Sequence, residues 1–127
     1  MKYTEQIKEA VKSVMNMNPN GFTFNPIKNA CEKKGYVVAT LDTQDCIGKT
    51  GLFKVVKYYL SHPDYCIGGW MNEDGTMQFD ASRVFFDIEE AIMNAIENEQ
   101  RAIFNLYTGK VIMASEYYEY LRLAIAA

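Results

Sequence analysis

The segment Tyr65-Cys66-Ile67-Gly68-Gly69-Trp70-Met71-Asn72-Glu73-Asp74-Gly75-Thr76-Met77-Gln78-Phe79-Asp80 contains two strand-like runs, Tyr65 to Met71 and Thr76 to Asp80. They are joined by Asn72-Glu73-Asp74-Gly75, and an Asp-Gly pair between β-type runs is a strong hairpin signal because glycine accepts a positive φ. The two runs are therefore expected to pair antiparallel. Gly68-Gly69 puts two residues without side chains inside a strand, where a bulge or the close approach of a backbone or ligand is the usual reason.

On the N-terminal side, Leu52, Val55, Val56 and Tyr59 return at helical spacing between Leu52 and Leu60, with Lys54 and Lys57 on the outer face. Before that helix, Tyr36 to Leu41 alternates as a strand, with Val37, Ala39 and Leu41 on one face and Tyr36, Val38 and Thr40 on the other. On the C-terminal side, Asp87 and Glu90 form a variant capping box ahead of Ile88, Ala91, Ile92, Ala95 and Ile96. Arg101 to Tyr107 then reads as a strand with Ala102, Phe104 and Leu106 inward, and Val111 to Met113 as another after the turn at Thr108-Gly109.

The order between Tyr36 and Tyr107 is thus strand, helix, strand, strand, helix, strand, the βαββαβ or ferredoxin-like order, with helices on one face of an antiparallel sheet. Such a superfold hosts binders, sensors and enzymes alike and says little about function. Flanking it, Thr4 to Asn18 carries a helical stripe of Ile7, Ala10, Val11, Val14 and Met15. Asn25-Pro26 predicts a second helix that ends at Lys33-Lys34-Gly35. Ser115 predicts the cap of a last one. The expectation is a single α+β domain over residues 1–127, with a core at 36–114, N-terminal helices within 4–34 and a C-terminal helix at 116–127. If the flanking helices cover the remaining sheet face, that counts against recognition there.

With 127 residues, 49% of them hydrophobic, the chain can bury a core without staples. Scaling predicts about 7,000 Å² of folded surface. Three cysteines, Cys31, Cys46 and Cys66, at wide spacings suit a reducing, cytoplasmic compartment. No apolar run follows Met1-Lys2-Tyr3, and none approaches the ~20 residues of a bilayer span, so neither export nor membrane insertion is expected. The net charge of −3 conceals a first half (1–63) at +4 and a second half (64–127) at −7. In one domain the halves interdigitate and the asymmetry largely averages out.

Gly48-Lys49-Thr50, between a strand and a helix, has the residue types that hold phosphate at a helix N-terminus. A full phosphate loop needs glycine where Thr43 stands, and Asp45 would repel an anion. A polar loop with Thr50 capping the helix explains the same residues. Thr43, Gly48, Lys49 and Thr50 are kept as a candidate anion-binding set, the centre of an alternative reading as an anion or nucleotide binder or enzyme. Cys31, Cys46, His62 and Cys66 lack the close Cys-x-x-Cys pair of a zinc site, and no metal or cofactor is assigned. A Cys46–His62 dyad would have to span a helix about 13 Å long, and no catalytic residue is assigned. Lys28, Lys33, Lys34, Lys49, Lys54 and Lys57 offer a second alternative, weak nucleic-acid binding.

Tyr117, Tyr118 and Tyr120 crowd the start of the last helix, with Leu121, Leu123, Ala124 and Ile125 behind them, an apolar surface wider than one face. Together with Trp70, residues Tyr117, Tyr118, Tyr120 and Ile125 form a candidate interaction surface for a protein partner or a second copy in a homodimer.

Gly35-Tyr36-Val37-Val38-Ala39, Thr43-Gln44, Gly51-Leu52-Phe53-Lys54-Val55-Val56, Gly68-Gly69-Trp70 and the segment from Glu89-Glu90-Ala91 through Asn98-Glu99-Gln100-Arg101-Ala102-Ile103-Phe104-Asn105-Leu106 resemble small uncharacterised accessory proteins of phages and conjugative elements of gut bacteria. The resemblance covers residues 35–112 and implies an accessory role on a mobile element, with no activity attached to particular residues. The leading expectation is a non-enzymatic cytosolic binding module that works through protein contacts or self-association.

Overall fold

The computed structural model describes residues 2–126. In chain order they form α1 (Lys2–Met17), β1 (Gly21–Asn25), β2 (Ala30–Cys31), β3 (Tyr36–Ala39), β4 (Cys46–Ile47) and α2 (Gly48–Ser61). There follow β5 (Cys66–Met71), β6 (Met77–Phe85), α3 (Ile88–Glu97), β7 (Ala102–Asn105), β8 (Lys110–Met113) and α4 (Ala114–Ala126). The result is one α+β domain, four helices on one antiparallel sheet.

The expected hairpin is the centre of that sheet. β5 and β6 pair from Cys66 opposite Ser82 to Met71 opposite Met77, and Gly75 takes the turn at φ 87°. β6 runs on to Phe85, five residues beyond the expected end at Asp80, because it has a second set of partners on its other side. There β4 pairs at Gln78 and Phe79, and β3 pairs from Ser82 to Phe85. The strands stand in the order β2-β1-β5-β6-β3-β7-β8, with β4 beside β6, so the eight-stranded sheet is larger than the four strands of the βαββαβ order and the added strand at Val111 to Met113.

Strand alternation then fixes which face each residue takes. Phe79 and Ala81 of β6 face a core with Ile67, Phe24, Val11 of α1 and Leu52, Val55, Val56 and Tyr59 of α2. Two residues further along the same face of β6 is Arg83, the register partner of Val38, and Val38 packs with Ala91, Ile92, Ala95, Ile103, Ile112 and Tyr117 under α3 and α4. Both cores therefore lie on one side of the sheet. The flanking helices widen the helical layer and leave the opposite face uncovered. The surface of 7,905 Å², above the ~7,000 Å² expected for this mass, agrees with a sheet covered on one side.

Several sequence expectations are corrected. The second helix within 4–34 is a hairpin of β1 and β2. Asn25 Oδ1 accepts hydrogen bonds from the amides of Ile27 (3.1 Å) and Lys28 (3.3 Å), an Asx turn, and Asn29 adopts φ 51°. The same side chain that caps a helix thus closes a turn when the strand partner is waiting. Gly35 does not cap a helix either: at φ 106° it lets the chain pass β6, where a Cβ would come within 2.6 Å of Val84 Cγ1 and 2.9 Å of Phe85 O. In β7 the inward residue is Ile103, fully buried, while Phe104 is 41% exposed on the uncovered face. α2 starts at Gly48, with Ile47 at the cap position and no side-chain cap, so Thr50 sits in its first turn rather than capping it. α3 begins as expected, Asp87 accepting from the amide of Glu89 at 3.3 Å. α4 starts at Ala114, and residue 127 of the helix expected at 116–127 lies outside the described residues.

Candidate functional site

The uncovered face is concave and holds a cavity of about 1,100 Å³. Its floor is built by the residues of β1, β5, β6 and β3 that alternation turns away from the helices: Thr23, Gly68, Gln78, Asp80, Ser82, Val37 and Ala39. At one end stand Asn20 and Trp70, and at the other Gln100, Phe104 and Val111.

Asp80 is the chemically distinctive member. It is 7% exposed, and among the described residues no lysine or arginine pairs with it. Burial raises its pKa from 3.8 to about 6, while the Ser82 hydroxyl acts in the opposite sense by favouring the ionised form. Ser82 is itself fully buried, and its Oγ makes no hydrogen bond of full geometry. The carboxyl and the hydroxyl therefore share the floor, and Ser82 Oγ is the buried polar atom without a full hydrogen bond among the described residues. Buried polar atoms are nearly always hydrogen-bonded, so this pair stands out.

The backbone explains how the carboxyl is seated there. Across β5 its register partner is Gly68, which has no side chain to lay over it. On the other side, β4 ends its pairing at Phe79 and β3 begins at Ser82, leaving Asp80 and Ala81 without a strand partner there. The loop after β3 closes that gap. Thr40 N donates to Ala81 O at 2.9 Å, and Thr43 Oγ1 accepts from Ala81 N at 2.9 Å. The loop is anchored in turn by Asn98, whose Oδ1 lies 3.2 Å from both Thr40 Oγ1 and Leu41 N. Gln100 Nε2 reaches Gln44 Oε1 at 3.5 Å across the rim.

The candidate anion set is not gathered. Thr43 is 3% exposed and its hydroxyl is used on Ala81, whereas Lys49 and Thr50 are exposed in the first turn of α2. Of the lysines considered for nucleic acid, Lys49, Lys54 and Lys57 belong to α2 on the helical side, and Lys33 lines the opposite, open face. Lys28 pairs with Glu32 at 3.1 Å. Cys46 and His62 lie at opposite ends of α2: Cys46 is buried against Gln44 O at 3.9 Å, while His62 stacks on Tyr58 with ring centres 4.1 Å apart. All three cysteines are free. Among the described residues no group of three or more His, Cys, Asp or Glu is placed to hold a metal ion.

The candidate interaction surface divides. Tyr117 belongs to the core at 5% exposure, its hydroxyl donating to Gln100 O at 3.0 Å, and Tyr120 packs beside it, so neither forms an open patch. Tyr118 and Ile125 are exposed on α4. Trp70 is half-exposed on the uncovered face, with Nε1 donating to Asn72 Oδ1 at 3.2 Å. The sequence reading missed Asp80 and Ser82. The available signal was their alternation with Phe79 and Ala81 opposite Gly68-Gly69, which placed two small polar side chains and two glycines in neighbouring strands.

Among the described residues no helix is long and apolar enough to cross a membrane. No family model matches the chain, and neither a curated protein nor a solved structure matches it.

Proposed function

We propose that this chain is a non-enzymatic binding module whose working surface is the uncovered sheet face, and that it acts through contacts with a partner protein. One observation carries the reading: four helices all pack on one side, leaving a groove of about 1,100 Å³ whose floor holds a buried carboxyl with no cation beside it and a buried hydroxyl, Ser82 Oγ, without a hydrogen-bond partner among the described residues. A sheet face serving only the fold would be expected to be flat, solvated and satisfied.

The finer points of the reading have their own support. The neighbours β5-β6-β3-β7 support a ferredoxin-like centre with strands added at both edges. Three free cysteines support a reducing, cytoplasmic compartment. The resemblance to accessory proteins of mobile elements supports an auxiliary role. Tyr118 and Ile125, 76% and 77% exposed on α4, support self-association as a second contact, for which sedimentation velocity is the test.

The binding surface is tested by placing a photo-crosslinking residue at Gln78, in the groove, and separately at Glu89, on the helical side. Cross-links to one defined protein from Gln78 and not from Glu89 are expected. Equal labelling from both positions, or none from Gln78, would overturn the assignment.

A further inference from the structure

Given that reading of the open face, we infer that Asp80 and Ser82 form the recognition pocket of the groove, and that its occupant is a lysine or arginine side chain carried by an extended segment of a partner protein.

A buried carboxyl beside an orphaned hydroxyl supplies acceptors, and among the described residues no lysine or arginine pairs with it. Its complement is a group with several N–H donors and a positive charge, an ammonium or guanidinium. A divalent metal fits poorly, since hard cations take six or more oxygens and no cluster of ligating side chains is assembled among the described residues. Charge around the groove points the same way: the acidic residues lining it are Glu32, Asp45, Asp80 and Glu99, against the basic Lys33 and Arg101.

Geometry selects a segment over a free amine. From β1 to β8 the face crosses six strands, about 24 Å at ~4.8 Å per spacing. That distance matches roughly seven residues of extended chain, with Asp80 on the third strand from the β1 side. Gly68 leaves room for the Asp80 carboxyl, and both residues line the groove that the side chain would enter. Because the fold already buries Asp80 to 7% exposure, an arriving cation displaces little water from it, which favours binding through preorganisation.

The test uses heptapeptides of glycine and serine with Arg, Lys or Gln at the centre, together with free butylguanidinium, titrated into the isotope-labelled protein and its Asp80→Asn variant. Arg- and Lys-centred peptides should shift the amides of Gly68, Gln78 and Ser82 and bind about tenfold tighter than the Gln peptide. The Asp80→Asn change should erase that preference, and the carboxyl carbon of Asp80 should titrate at lower pH when the basic peptide is bound. If all peptides bind this face equally in both proteins, the pocket assignment fails while the open-face reading survives. Shifts confined to the helical side, or none, would overturn both. Butylguanidinium binding as tightly as the Arg peptide would overturn the partner-segment occupant.

Discussion

Gly68 and Asp80 are so close across β5 and β6 that a Cβ on Gly68 would stand 2.6 Å from Asp80 Oδ1 and 3.4 Å from Ser82 Oγ. The glycine is what makes room for a carboxyl in the middle of the sheet face, where it lines the groove. In a strand interior, Gly→Ala is ordinarily favourable by about 0.5–1 kcal/mol. Here the sign reverses. Gly68→Ala is expected to destabilise the fold by about 1–2 kcal/mol, and Asp80→Ser in the same chain should recover most of the loss. Chemical denaturation of the two single variants and the double variant measures that coupling, and simple additivity would contradict it.

Asp80 also sets a pH dependence whose sign is fixed by its pKa, raised from 3.8 to about 6 by burial. Between these values the folded state holds a proton that the unfolded chain releases. Stability therefore falls as pH climbs from about 4 to about 6 and remains lower above that, by about 3 kcal/mol for the full displacement. Asp80→Asn should be the more stable protein at about pH 7.5, with the gap closing toward about pH 4. Urea midpoints across that range decide it, and a gap that does not vary with pH would reject the assignment.

Thr43 contributes through the backbone of β6. Its hydroxyl satisfies Ala81 N where β3 and β4 both leave β6 without a strand partner. Thr43→Val keeps the shape and strands a buried amide, for an expected loss of about 1–3 kcal/mol. Thr43→Ser should retain most of the stability. Faster hydrogen exchange at Ala81 in the valine variant alone is the local signature.

Gly51 gives a test of the helical side. In an exposed helix interior, Gly→Ala stabilises by about 1 kcal/mol. At Gly51 a Cβ would collide with the backbone of Cys46, lying 2.7 Å from its carbonyl oxygen. Backbone cannot rotate away as a side chain does, so Gly51→Ala should destabilise by about 2 kcal/mol or more and lower the melting temperature. A gain in stability would mean that α2 does not sit this close to β4.

The hairpin at Asn72–Thr76, the strand at Tyr36 and the helices of Leu52–Leu60 and Ile88–Glu97 were legible because each obeys a local rule: a turn dipeptide, a two-residue alternation, a 3.6-residue stripe, a cap. The reading failed where one local signal served two structures. Asn25-Pro26 suits a helix start and an Asx turn equally, and only the pairing of Phe24 with Cys31 and Asn25 with Ala30 selects the turn. Phe104 and Ile103 are both apolar, so alternation alone did not say which was inward. The register with Val37 and Ile112 did.

Composition and periodicity by themselves established an α+β chain with a substantial core, the main strands and all four helices, since those properties depend on neighbours a few residues apart. Which face of the sheet the helices share, the gap in β6 that Thr40 and Thr43 close, and the seating of Asp80 between Gly68 and Ser82 depend on residues tens of positions apart. A carboxylate looks the same in any sequence. Only burial without a partner, a property of the assembled sheet, makes this one distinctive.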